Sequence, residues 1–240
     1  MRRESAGSLA ARYGHLDGEA LLAALLCEGA AGRLALVSSF GAEAAVLLHM
    51  AARVEPALPV IFLDTHKLFS ETLDYQARLA RVLGLRDVRV IRPAPEDLDA
   101  EDPEGDLHRR DPDRCCGIRK TRPLARALAG FDGWITGRKR YQSGRRAGLD
   151  VFEEEPGSGR VKINPLARWT PEEIRARFEA HNLPRHPLAS RGYPSIGCAP
   201  CTTPVAPGEP VRAGRWRGQE KEECGLHLLD GALVPARRPA

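Results

Sequence analysis

Residues 33–41 read Arg-Leu-Ala-Leu-Val-Ser-Ser-Phe-Gly: a short β-rich run that stops at a Ser/Gly turn, with a helical pattern over about 43–53 behind it. The same unit recurs. Residues 59–64 (PVIFLD) form a continuous apolar run, as expected of a strand covered on both faces of a parallel sheet. A helix over 70–83 follows, with Ser70 as its N-cap and Gly84 as its stop. Residues 87–92 (DVRVIR) give a third strand. Three strand–helix alternations with short connections predict an α/β fold with a doubly wound, mainly parallel sheet.

The flanking segments extend this frame. Residues 8–29 predict one helix, with Leu9, Leu16, Ala20, Leu22, Leu25 and Leu26 on its apolar face and Cys27 as a core thiol at its end. Residues 93–114 are acidic and proline-rich and predict a long loop. Residues 116–128 predict a helix that is kinked at Pro123 or starts near it. Residues 133–137 (GWITG) and 161–164 predict two further short strands, and Thr170-Pro171-Glu172-Glu173 starts a helix capped by Thr170. Beyond about 182 periodicity fades. The predicted division is an α/β domain over 1–201 and an irregular C-terminal tail over 202–240.

Composition narrows the function. The chain has 240 residues, 42% of them apolar, enough to bury a sizeable core. A net charge of +4 is too mild for a nucleic-acid coat and suits local arginines meeting a small anion. No apolar run approaches the roughly 18 residues of a membrane span. The start, Met1-Arg2-Arg3-Glu4-Ser5, leads into no signal-peptide core. The expectation is a soluble cytoplasmic protein with neither nucleic-acid nor membrane partners; self-association is left open. In that compartment six cysteines read as metal ligands, catalytic groups or buried thiols rather than disulfides.

Three segments converge on the carboxyl edge of the predicted sheet. The turn 37–43 (VSSFGAE) offers backbone N–H groups and a helix's positive end to a phosphate or sulfate. It is neither a Walker A loop nor a dinucleotide fingerprint, and by itself it equals an ordinary strand–helix turn. Leu63-Asp64-Thr65 ends the second strand at the same edge, where open α/β sheets bind ligands. Residues 137–146 (GRKRYQSGRR) put five cations after the fourth strand. Such a run is ordinarily a solvated face; here its position favours anion recognition by arginine forks. Arg212 and Arg215 could close over the same ligand.

The cysteines carry the strongest signal. Cys115 and Cys116 are adjacent, and Cys198 and Cys201 form a Cys-x-x-Cys. An adjacent pair is awkward around one tetrahedral ion, whereas a [4Fe–4S] cubane offers separate irons to neighbouring thiolates. A zinc site and four unrelated buried thiols remain alternatives. Lys120, four residues after Cys116 and so on the same helical face, would set a cation beside an anionic cluster. Cys224, in Glu223-Cys224-Gly225-Leu226-His227, stands apart. It reads either as a nucleophile or as a surface thiol. Glu220, Glu222 and Glu223 oppose its ionisation, and Lys221 and His227 favour it.

Taken together, Cys115-Cys116-Gly117-Ile118-Arg119-Lys120, Trp134-Ile135-Thr136-Gly137 with Gln142-Ser143, the stretch 192–202 (GYPSIGCAPCT) and the ECGLH tail resemble the assimilatory sulfonucleotide reductases, specifically their iron–sulfur branch. The resemblance runs over about 38–227. It implies an adenine-nucleotide α-hydrolase-like fold and a [4Fe–4S] cluster that is no redox carrier, held by Cys115, Cys116, Cys198 and Cys201. It also implies that Lys120 links cluster and substrate, and that Ser38, Ser39, Leu63, Gly137, Arg146, Arg212 and Arg215 contact substrate. Some relatives are longer between Gln-Ser and the next arginine, which leaves Arg145 and Arg146 both in play. The implied activity is thioredoxin-dependent reduction of adenosine 5′-phosphosulfate to sulfite and AMP through an S-sulfocysteine on Cys224, in sulfate assimilation and cysteine biosynthesis. The 3′-phosphorylated nucleotide, PAPS, is the nearest alternative substrate. A tRNA-thiolating ATP pyrophosphatase is more distant, because residues 38–43 lack its Ser-Gly-Gly-x-Asp-Ser loop. A zinc-stapled binding module is the non-enzymatic alternative.

Overall fold

Apolar side chains occupy both faces of the central strands, and such strands need cover on both sides. In the computed structural model, which describes residues 4–219, 221 and 223, the strands are β1 (Leu34–Val37), β2 (Val60–Leu63), β3 (Val88–Ile91), β4 (Gly133–Thr136), β5 (Phe152–Glu154) and β6 (Val161–Ile163). Their order is β3-β2-β1-β4-β6-β5, all parallel except β5, which runs antiparallel to β6. The helices are α1 (Ala6–Tyr13), α2 (Gly18–Glu28), α3 (Ala44–Val54), α4 (Ser70–Leu83), α5 (Pro95–Glu101), α6 (Leu107–Arg110), α7 (Pro112–Cys116), α8 (Arg122–Ala127) and α9 (Pro171–Ala180). Leu34, Leu36, Val60, Phe62 and Ile135 enter a core shared with α1–α4 and α9. Ala35, Ile61, Leu63 and Trp134 point the other way, onto Leu124 and Leu128. The doubly wound expectation holds. The chain steps outward from β1 through β2 to β3, then returns to lay β4 on the other side of β1, so the winding direction reverses between β1 and β4. Ligand crevices form at such a reversal.

Several sequence expectations are corrected. The stretch 8–29 is two helices, because the chain turns at Gly14–Asp17 and α2 begins at Gly18 with a left-handed φ of 49°. A Cβ there would sit 2.8 Å from the Trp169 ring. Cys27 is exposed rather than core: α2 buries Leu21, Leu22 and Leu25, and a residue two beyond Leu25 lies more than half a turn round. Ser70 is the first helical residue and Phe69 the cap, while Gly84 does close α4 in the left-handed region. The expected loop over 93–114 contains α5, α6 and the start of α7, pieces too short to show a period; α5 carries proline at its start and Glu96 and Asp97 in its first turn. β5 has no counterpart in the sequence reading.

Of the two alternatives for residues 116–128, the structure takes the second: α8 starts at Arg122, with Pro123 in its first turn. A five-residue π-turn, Gly117–Thr121, joins α7 to α8, and the Arg122 N–H donates to the Gly117 carbonyl five residues back. In a regular α-helix the proline ring would press on the carbonyl of Arg119 and lack its own N–H; the wider turn relieves both. Cys115 and Cys116 end the segment before that turn, and Arg119 and Lys120 lie within it. No described helix is long and apolar enough to cross a membrane.

Candidate functional site

Two non-glycine residues at the carboxyl edge adopt left-handed backbone. Phe40, after β1, has φ 48°, and the Ser38 hydroxyl accepts its N–H at 3.1 Å. His66, after β2, has φ 57°, and Asp64 Oδ1 accepts its N–H at 3.1 Å. In each case a side chain two residues earlier holds a conformation that costs about 1–3 kcal/mol, the kind of strain that gathers at ligand sites. Between these turns and the loop after β4 opens a cavity, lined by Ser38 and Ser39 just after β1, Leu63 and Thr65 at the end of β2, and Thr136–Lys139 at the end of β4. All seven residues expected to contact substrate line it: Ser38, Ser39, Leu63, Gly137, Arg146, Arg212 and Arg215. Arg146 is buried there, whereas Arg145 is exposed and does not line the cavity.

A buried polar network, which sequence reasoning missed, carries the basic loop. Glu43 at the head of α3 accepts from Lys139 Nζ at 2.9 Å, from the Tyr141 hydroxyl at 2.6 Å and from Gln142 Nε2 at 2.9 Å. Burial pushes the Glu43 carboxyl up, but the Lys139 charge and the hydrogen bonds outweigh it and hold it below the usual carboxylate range. Gln142 Oε1 in turn accepts from Arg146 Nη1 at 2.5 Å. Five cations in ten residues would repel one another; here the first turn of α3 anchors the loop and fixes the Arg146 fork. Gln142 belonged to a motif quoted from the sequence, but nothing local linked it to a glutamate 99 positions away.

Residues 202–219 fold back over the Cys198–Cys201 turn. The Trp216 N–H donates to the Cys201 carbonyl at 3.0 Å, and Thr202 and Arg215 form an antiparallel bridge. Gly197 lets the Arg215 guanidinium approach closely: a Cβ there would lie 2.2 Å from Arg215 Nη2, whose guanidinium also stacks 4.4 Å over the Trp216 ring. Farther on, the Glu223 carboxylate takes Arg146 Nε at 2.6 Å and Arg146 Nη2 at 2.8 Å, and Arg212 Nη2 at 3.2 Å. Cys224 and His227 lie outside the described residues.

Cys115, Cys116, Cys198 and Cys201 line a second cavity together, so two motifs far apart in sequence converge. Lys120 and Trp216 line both cavities. Burial, reinforced by the neighbouring Cys116, pushes the Cys115 thiol up to about 12. At Cys198 burial also opposes ionisation, but the Lys120 ammonium and a Thr65 hydroxyl 3.3 Å from the sulfur bring the thiol below its ordinary value. Two buried nitrogens from residues lining this cavity, Arg119 Nε and Trp216 Nε1, have no hydrogen-bond partner among the described residues. Unsatisfied buried nitrogens beside four thiols fit an anionic iron–sulfur group whose sulfurs accept hydrogen bonds. Among the described residues no three His, Cys, Asp or Glu side chains are placed to hold one metal ion.

The sequence profile of the family described as "Phosphoadenosine phosphosulfate reductase domain" matches residues 33–204. A Chelativorans protein named adenosine 5′-phosphosulfate reductase is 51% identical over 221 residues, covering 92% of this chain and 89% of that protein. A Gloeobacter violaceus protein named phosphoadenosine 5′-phosphosulfate reductase is 43% identical over 223 residues, covering 91% and 92%. Among solved structures, PAPS reductase from Candida auris in a phosphate complex superposes with a TM-score of 0.69 at 25% identity, over 85% of this chain and 98% of that one. The fold is the adenine-nucleotide α-hydrolase-like one.

Proposed function

The chain belongs to the phosphoadenosine phosphosulfate reductase domain family, and from there we propose that it reduces adenosine 5′-phosphosulfate to sulfite and AMP with thioredoxin as the electron donor. The observation that carries the reading is the shared wall: Lys120 lines both the arginine-bearing cavity and the four-cysteine cavity. In this reading 1–201 form the nucleotide- and cluster-binding part and 202–240 the tail that brings Cys224. Ser38, Ser39 and Gly137 give the nucleotide close backbone approach, Leu63 flanks it, and Arg146, Arg212 and Arg215 neutralise its phosphosulfate. Cys115, Cys116, Cys198 and Cys201 hold a [4Fe–4S] cluster, which when bound supplies fixed charge beside Lys120.

The Cys224 thiolate attacks the sulfuryl sulfur. A sulfur–sulfur bond forms, the sulfur–oxygen bond to the phosphate breaks, and AMP leaves with the electron pair. The lysine and arginine cations lower the repulsion between thiolate and sulfate. A thioredoxin thiolate then attacks Cys224 Sγ and displaces sulfite; the second thioredoxin thiol resolves the mixed disulfide, so one dithiol supplies both electrons. Dependence on free thiols suits the reducing cytoplasm, and in this reading the reaction serves sulfate assimilation and cysteine biosynthesis. The family name and the Gloeobacter relative favour a second reading, PAPS as substrate. The ratio of kcat/KM for the two nucleotides with reduced thioredoxin decides. A higher value for adenosine 5′-phosphosulfate supports the first reading, a higher value for PAPS the second, and no sulfite from either overturns both.

A further inference from the structure

In the arrangement described, the best-placed anion site is already taken. Arg146 presents its Nε and Nη2 edge, the fork that matches two oxygens of a carboxylate, phosphate or sulfate, and both donors bind the two oxygens of Glu223. Arg212 reaches the same carboxylate. The Glu223 side chain is only 7% exposed and those of Arg146 and Arg212 are 10% and 14% exposed, so this is a screened contact rather than a surface pair. Arg146 cannot swing aside to serve two anions, because its Nη1 is held by Gln142, which is tied to Glu43. One fork therefore meets one anion at a time. Glu223 also immediately precedes Cys224 in the chain.

We propose that Glu223 is an internal competitor for the ligand's anionic group: its carboxylate holds the Arg146–Arg212 fork in the free protein and must be displaced when a nucleotide phosphate or sulfate binds. The inference rests on the proposed substrate cavity. It makes Glu223 a specificity-determining residue, since only a ligand anion that competes with a bidentate carboxylate gains the fork. It also ties occupancy of the fork to the position of the residue next to the nucleophile. The carboxylate is well suited to the role. Burial would raise its pKa, but the Arg146 hydrogen bonds and the charges of Arg146, Arg212 and Arg215 hold it ionised below the usual range.

The test uses the full chain, purified anaerobically, and two unreactive probes: AMP, and ADP, whose terminal phosphate stands in for the sulfate. Dissociation constants are measured by calorimetry for the wild type, Glu223→Gln and Glu223→Asp, at low salt and at about 0.5 M salt, where remote charges are screened and contacts are not. Displacement predicts that Glu223→Gln binds ADP about tenfold more tightly at both salt concentrations, because the fork is no longer paired with a charged competitor. Glu223→Asp stays near the wild type. Equal or weaker ADP binding by Glu223→Gln would overturn the inference and make Glu223 a strut for the tail, with nucleotide binding itself intact. A gain that disappears at high salt would overturn it too, as an effect of the general field. Failure of every form to bind either probe would overturn the substrate cavity along with it.

Discussion

Arg119 and Asp102 meet as a buried ion pair beneath the four cysteines, Nη2 to Oδ2 at 2.6 Å, with side-chain exposures of 5% and 0%. The pair is tied in on both sides: Asp102 Oδ1 accepts the Leu107 N–H at 2.8 Å, and Arg119 Nη1 donates to the Thr65 carbonyl at 2.9 Å. It joins the end of α5, the start of α6, the π-turn and the β2 edge at the point where Thr65 meets Cys198. A buried pair of this kind specifies geometry more than it adds stability.

Removing one partner leaves an uncompensated buried charge. Asp102→Ala is expected to lose about 3–5 kcal/mol of unfolding free energy, read from the urea midpoint, and to lower the iron bound per chain. An exposed pair such as Arg110–Asp106 offers the control, since Asp106→Ala should change stability by less than about 1 kcal/mol.

The Glu43–Lys139 pair sets a pH dependence. The folded-state pKa of Glu43 lies below its unfolded value, so its contribution is fully present above the ordinary carboxylate range near pH 4.3 and is lost as pH falls through the lower folded value. Glu43→Gln should therefore be less stable at pH 6 and show a shallower loss between pH 5 and 3, measured by urea unfolding at each pH. Equal slopes for the two proteins would remove Glu43 from the account.

In the proposed mechanism, a change at Lys120 separates cluster retention from catalysis. Lys120→Ala should keep its iron and sulfide yet lose about a hundredfold in kcat/KM, the cost of removing one positioned charge from a developing anion. Lys120→Arg should recover part of the rate. Loss of iron in step with activity would make the lysine a structural support only.

The central sheet was legible because β1 and β2 read as unbroken apolar runs and β3 as an apolar run broken only by Arg89, with short connections to the helices between them. Part of the cavity lining, Ser38, Ser39, Leu63 and Gly137, was legible because it sits at or directly after strand ends, whereas the assignment of Arg146, Arg212 and Arg215 as substrate contacts came from the family resemblance. What escaped depends on partners distant in sequence or on pieces too short to have a period. Nothing near Glu43 announces Lys139, and nothing near Asp102 announces Arg119. Cys27 was misread because one helix was assumed where Gly14 and Gly18 make two, and the buried stripe of α2 leaves it outside. That correction matters chemically: Cys27 is exposed, so Cys224 is not the only cysteine outside the four-cysteine set that a reactivity test has to consider.

The site to which sulfur is transferred identifies the nucleophile. The protein is incubated anaerobically with adenosine 5′-phosphosulfate and no reductant, digested, and its cysteine peptides are weighed. The prediction is an S-sulfonate on the peptide carrying Cys224, absent from Cys224→Ser, present in Cys27→Ser, and discharged as sulfite by reduced thioredoxin. A sulfonate on Cys27, or one that persists in Cys224→Ser, would contradict the assignment of the nucleophile.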